Sequence, residues 1–87
     1  MYTVKISENA LKSLGKLDKQ IARMILAWIE KNLEGCDNPR QKGKSLSHEK
    51  KGIWRYRVGN YRLLANIQDD ILIILIIDFG HRKDIYR

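Results

Sequence analysis

The residues able to do chemistry gather in the last third of this chain. Arg55 and Arg57 stand at alternate positions of one strand-like run, and Arg62 lies in the next. The sequence then runs through Gly80-His81-Arg82-Lys83-Asp84-Ile85-Tyr86-Arg87. These types define a task. Arginine keeps its charge and grips paired phosphate oxygens with its planar fork. Histidine is the side chain best suited to carry a proton near neutral pH. Tyrosine stacks on splayed bases. Together they suit the handling of a phosphodiester better than the filling of a core. Glu49 adds one carboxylate, and Lys42, Lys44, Lys50 and Lys51 add cations that would hold a polyanion without sequence preference. The overall charge agrees. The chain carries a net +7; residues 1–39 hold six Lys/Arg against five Asp/Glu, whereas residues 40–87 hold eleven against five. A one-sided basic surface favours nucleic acid.

These groups need a small sheet to hold them. At 87 residues the chain is expected to form one domain, 1–87, that buries only about 60% of its unfolded surface. Tyr2–Ile6 alternates as a first strand. Ser7 is placed to cap a short helix with Ala10, Leu11 and Leu14 on its apolar stripe. Asp18 caps a longer one through about Leu33, with Ile21, Ile25, Trp28, Ile29 and Leu33 on one face. Residues 35–52 form a basic loop with three Gly and the only Pro. Ile53–Val58 then places Trp54, Tyr56 and Val58 on one face, with Ile53, Arg55 and Arg57 on the other. Gly59-Asn60 is a hairpin turn, followed by Tyr61, Leu63, Ala65 and Ile67 on one face and Arg62, Leu64 and Asn66 on the other. After Asp69-Asp70 the apolar run Ile71–Ile77 reads as a central strand covered on both sides. The fold expected is α+β: two N-terminal helices on one face of a small, mostly antiparallel four-stranded sheet, in the order β-α-α-β-β-β. Trp28 and Trp54, each on an apolar face, are expected in the core rather than against a base. The arginine-bearing face is left as an open groove or a partner-covered surface.

Leu46, Gly52-Ile53-Trp54-Arg55, Tyr61-Arg62-Leu63 and Gly80-His81-Arg82-Lys83-Asp84-Ile85-Tyr86, in this order and spacing, resemble the RelE/ParE superfamily of bacterial toxins from type II toxin–antitoxin systems, and the RelE branch in particular. That resemblance implies a metal-independent endoribonuclease, an mRNA interferase that cuts messenger RNA in the ribosomal A site and blocks translation. It also implies neutralisation by a RelB-like antitoxin, and operator DNA bound through the antitoxin complex. By the resemblance Arg62 holds the scissile phosphate, and Arg82 binds phosphate near the chain end. Arg55 and Arg57 match positions occupied by lysine in RelE itself; arginine is a poor base, so they bind RNA and stabilise charge. His81 matches a histidine that resembles a general acid in the YoeB branch. Glu49 stands three residues before Gly52, like that branch's glutamate, and is either a catalytic carboxylate or an exposed acid in a lysine-rich loop. Tyr86 either stacks on a base, helps move a proton, or packs into the core.

Other classes are narrowed. Cys36 is the single cysteine, so an internal disulfide is impossible and a reducing cytoplasm fits. No metal-ligand spacing and no cofactor motif is present. The opening MYTVKIS lacks the basic and apolar regions of a signal peptide. The run Ile71–Ile77 is far short of the roughly 20 residues that span a bilayer, so a membrane partner is not expected. Two alternatives stand beside the nuclease: a ParE-like DNA gyrase inhibitor and a non-catalytic RNA-binding module.

Overall fold

In the computed structural model, which describes residues 1–45 and 52–81, the elements run β1 (Thr3–Ile6), α1 (Glu8–Gly15), α2 (Lys19–Asn32), β2 (Lys44–Ser45), β3 (Ile53–Val58), β4 (Tyr61–Gln68) and β5 (Ile73–His81). Both helix starts follow from their caps. The Ser7 hydroxyl accepts from the Ala10 amide at 3.1 Å, and the Asp18 carboxylate from the Gln20 amide at 3.1 Å. Each satisfies an amide that the first turn leaves without an intrahelical partner, worth about 1 kcal/mol.

The sheet has five strands in the order β1-β5-β4-β3-β2. This corrects the expected four-stranded, mostly antiparallel sheet in two ways. Lys44–Ser45 leaves the loop to pair antiparallel with β3, and β1 runs parallel to β5, Thr3 opposite Ile73 through Ile6 opposite Ile76. The helices make that parallel pairing possible, because the chain crosses over through them before returning. β5 is therefore interior to the sheet. Ile25, Tyr56, Leu63, Ala65, Ile74 and Ile76 are fully sealed between the helices and one sheet face.

The apolar run from Ile71 does not behave as one strand. Ile71 and Leu72 are 57% and 45% exposed and lie in the turn before β5, while Ile73, Leu75 and Ile77 are only half-buried. Their face is not covered as Ile74 and Ile76 are. Leu72 takes φ +55, the left-handed region that a branched side chain enters at a cost of about 1–2 kcal/mol. Its carbonyl accepts from the Thr3 amide at 2.9 Å and so opens the β1–β5 ladder. Leu72→Gly keeps that carbonyl and removes the strain. It is expected to raise stability by about 0.5–1 kcal/mol, read as a higher melting temperature. A lower one would show that the leucine side chain contributes more than the strain costs.

A bulge interrupts β4–β5: Ala65 faces Ile76 but Leu64 faces Asp78, which leaves Ile77 as an extra residue. The insertion shifts the alternation of β5 by one. Ile76 and Phe79 both end on the helix-covered face, at 0% and 4% exposure. Among the described residues no helix is long and apolar enough to cross a membrane.

Candidate functional site

The β3–β4 hairpin builds the site by period two. Tyr56, Val58, Leu63 and Ala65 are buried toward the helices, so Arg55, Arg57 and Arg62 belong to the opposite face. The Gly59-Asn60 turn fixes the register, and Arg57 stands directly opposite Arg62. The neighbouring ladder repeats this arrangement, with Lys44 of β2 directly opposite Arg55. Like charges in directly opposed positions are unfavourable by some tenths of a kcal/mol each. Two such pairs in adjacent ladders concentrate positive charge on one face, a surface complementary to an anion.

The field has a container. Lys42, Gly43, Lys44, Arg55, Arg57, Arg62 and Trp28 line a cavity of about 400 Å³ at the β3 edge. Among the described residues its lining holds five cations and no carboxylate. Arg62 is its most enclosed member at 1% exposure, with Nη1 donating to the Tyr61 carbonyl at 3.3 Å. Out of contact with water, its charge is less screened and acts more strongly on a bound phosphate.

The loop that carries Lys42 and Lys44 is fastened at each step. The Tyr56 hydroxyl donates to the Pro39 carbonyl, and Trp54 Nε1 to the Lys42 carbonyl at 2.7 Å. Lys42 Nζ donates to Asn32 Oδ1 at 2.8 Å. Arg40 holds Asp69 with two hydrogen bonds of 2.9 Å, and the Tyr2 hydroxyl donates to Asp69 Oδ1 at 2.6 Å. Arg40 first, and Tyr2 second, hold the Asp69 carboxyl down to about 2. A folded value below the unfolded one of about 3.9 means that this clamp stabilises fully above that value and is lost as pH falls toward 2. Asp69→Asn is therefore expected to melt lower than the parent chain at neutral pH. The two should converge as pH falls through that window in a thermal-melt series. A constant difference down to pH 2 would remove the clamp from the account.

The candidate residues divide. Arg55, Arg57, Arg62, Lys42 and Lys44 converge on the cavity. Glu49, Lys50, Lys51, Arg82 and Tyr86 lie outside the described residues. His81 is described and lies elsewhere. It faces Tyr61 across the ladder, ring centroids 5.3 Å apart at 79°, while Arg62 faces Gly80. By register His81 shares the face of Tyr61 and Phe79, opposite that of Arg62. Two lining residues escaped the sequence reading. Trp28, expected in the core, packs against it but is only half-buried and also forms a wall of the cavity. Gly43, in a loop read only as basic, has φ +81, and a side chain there would run into the Arg55 carbonyl. Among the described residues no three His, Cys, Asp or Glu side chains gather to hold a metal ion.

A family model described as the ParE toxin of type II toxin–antitoxin systems matches residues 4–86. Toxin RelG from Mycobacterium tuberculosis is 35% identical over 99% of this chain and 97% of its own length. The chain is a RelE/ParE-family toxin. Among solved structures it is similar to the toxin–antitoxin complex RelBE2 from Mycobacterium tuberculosis, with TM-score 0.84, 32% identity and coverage of 93% of this chain and 91% of that one. The RelE–RelB complex from Pyrococcus horikoshii gives TM-score 0.69, 30% identity and coverage of 93% and 94%. The family description says ParE, whereas the relatives carry RelE-type names. Both kinds of match span nearly the whole chain, the arginine-bearing hairpin included.

Proposed function

We propose that this toxin is a metal-independent endoribonuclease that cuts messenger RNA in the ribosomal A site and so inhibits translation in the cytoplasm. The reading rests above all on two opposed cation pairs, Lys44–Arg55 and Arg57–Arg62, around one cavity. Positive charge concentrated around one cavity favours a bound phosphodiester. In the reaction the 2′-oxygen attacks the adjacent phosphorus and the bond to the 5′-oxygen breaks. The products are a 2′,3′-cyclic phosphate and a 5′-hydroxyl. One proton leaves the 2′-hydroxyl and one reaches the 5′-oxygen, so nothing is oxidised and no water is consumed. Arg62, with Arg55 and Arg57, takes the charge that builds on the phosphoryl oxygens. Lys42, Lys44, Lys50 and Lys51 add grip on ribosomal RNA. Proton transfer falls to Glu49, His81 and Tyr86, with Arg82 as a further phosphate ligand. His81 needs a change in the β5 end, or delivery through water, to reach a phosphate held by Arg62.

A RelB-like antitoxin is the proposed protein partner, as in the solved complexes of the relatives, with operator DNA bound through that complex. A segment laid over the Arg55/Arg57/Arg62 face would neutralise the field and block the cavity together. The deciding experiment adds the purified toxin to a reconstituted translation system and maps message ends. Cuts within ribosome-bound codons, with 2′,3′-cyclic phosphate ends, are expected. Intact message with inhibited DNA supercoiling would replace the nuclease by a gyrase inhibitor.

A further inference from the structure

Trp28 lies between two kinds of surface. On one side it borders the cationic cavity. On the other it borders a groove of about 570 Å³, shared with Met24, Ala27, Val58, Gly59 and Arg57. Trp28 and Arg57 belong to both. Its surroundings differ from those of a sealed core tryptophan. Ile25 and Ile29, beside it on α2, are 0% and 5% exposed, whereas Trp28 is half-buried. Its ring is braced from below by Tyr56, centroids 5.7 Å apart at 54°. One turn along α2, Asn32 accepts from the ammonium of Lys42, a cation that lines the cavity together with Trp28. A held indole, a flanking cation and a mostly apolar groove form a platform contiguous with a phosphate site.

A nucleotide has the same two-part character. Its phosphate needs cations and its base needs a flat apolar surface, and the two are joined by a short sugar. Stacking of an unpaired base on an aromatic ring is among the larger single contributions to single-strand binding and tolerates any base, because every base has a π-face. The occupant that fits both surfaces at once is an RNA nucleotide, its phosphate against Arg57 and Arg62 and its base in the groove.

We propose that Trp28 is the base platform of this toxin, stacking on a nucleotide that flanks the scissile phosphate. The proposal rests on the ribonuclease reading. Its contribution is positioning: the stacked base fixes the sugar, and hence the 2′-oxygen, relative to the phosphate held by the arginines.

The test uses ribosomes programmed with a message whose A-site codon carries either its natural bases or one abasic nucleotide on either side of the cut. The parent toxin is expected to cut about 10-fold more slowly when the abasic nucleotide stands at the stacked position. Trp28→Leu keeps apolar fill and removes the π-face. It should be about 10-fold slow on the natural codon and insensitive to the missing base. Trp28→Phe restores both the rate and the sensitivity. Thermal melts of the two variants check that each is folded. If Trp28→Leu discriminates natural from abasic codons as the parent does, the platform is overturned while cleavage stands. If the parent leaves the natural message whole, the nuclease reading falls and the platform with it.

Discussion

Arg62→Ala is expected to slow message cleavage by about 10²–10³-fold, the usual loss when one preorganised charge-stabilising donor is removed. Three features set the size of the effect. Arg62 is 1% exposed, so water does not dilute its charge. It is directly opposite Arg57 and borders a cavity with four other cations, so the field it joins is already oriented. On the proposed reading its planar fork would grip two phosphate oxygens together, which a point charge does not. Arg62→Lys should therefore recover only part of the rate. Expression of Arg62→Ala should permit growth where the parent chain arrests it. Circular-dichroism melts separate lost chemistry from lost fold. Cleavage within about threefold of the parent would mean that Arg62 does not hold the scissile phosphate.

Gly43→Ala is expected to destabilise the fold strongly, since among the glycines whose surroundings are described only Gly43 has atoms within 3 Å of an added Cβ. Gly43 has φ +81, where any L side chain is strained by about 1–2 kcal/mol. A Cβ would meet the Arg55 carbonyl and come within 2.8 Å of Trp54 Nε1 and 2.9 Å of Tyr56 Cδ1. Backbone and a buried ring cannot withdraw as a flexible side chain can, so an overpacking cost of about 1–3 kcal/mol adds to the strain. The sum, on the order of 3 kcal/mol, corresponds to a melting temperature lower by roughly 10–20 °C in a domain this small. Where the chain remains folded, the loop must lift from β3. Lys42 and Lys44 then leave the cavity, and RNA cleavage should fall as well. A variant as stable and active as the parent would show that the loop does not rest on the strand.

The hairpin was legible because its signals are local. Alternation in Ile53–Val58 and Tyr61–Ile67, with a two-residue turn between, places three arginines on one face without reference to the rest of the chain. Ser7 and Asp18 announce their helices for the same reason. The misses all involve information that is not local. β2 is two exposed residues, too short to alternate, and exists only because β3 offers an edge. The β1–β5 pairing joins Thr3 to Ile73, and nothing in either segment names the other. Ile71 and Leu72 look like strand, but apolar character does not compel burial where the backbone must turn. The bulge at Ile77 moves His81 to the face of Tyr61, and composition carries no mark of it. Within the site the arginines, Lys42 and Lys44 were legible, while Gly43 and Trp28 acquire their roles only from the fold that brings the 42–44 loop beside α2.

The parallel pairing of β1 with β5 also has a consequence for when this toxin becomes dangerous. The first strand can find its place only after residues 73–76 exist, and β5 in turn supplies the interior edge on which β4 rests. Such distant pairings form late, because a long loop must close before any contact rewards it. A chain still emerging from the ribosome can form its helices and the β3–β4 hairpin, but it cannot close the sheet. Toxicity should therefore arise in one step, once β5 is available to the sheet. The ribosome making the toxin would be spared by the order of assembly, and a waiting antitoxin would meet its target as a finished surface.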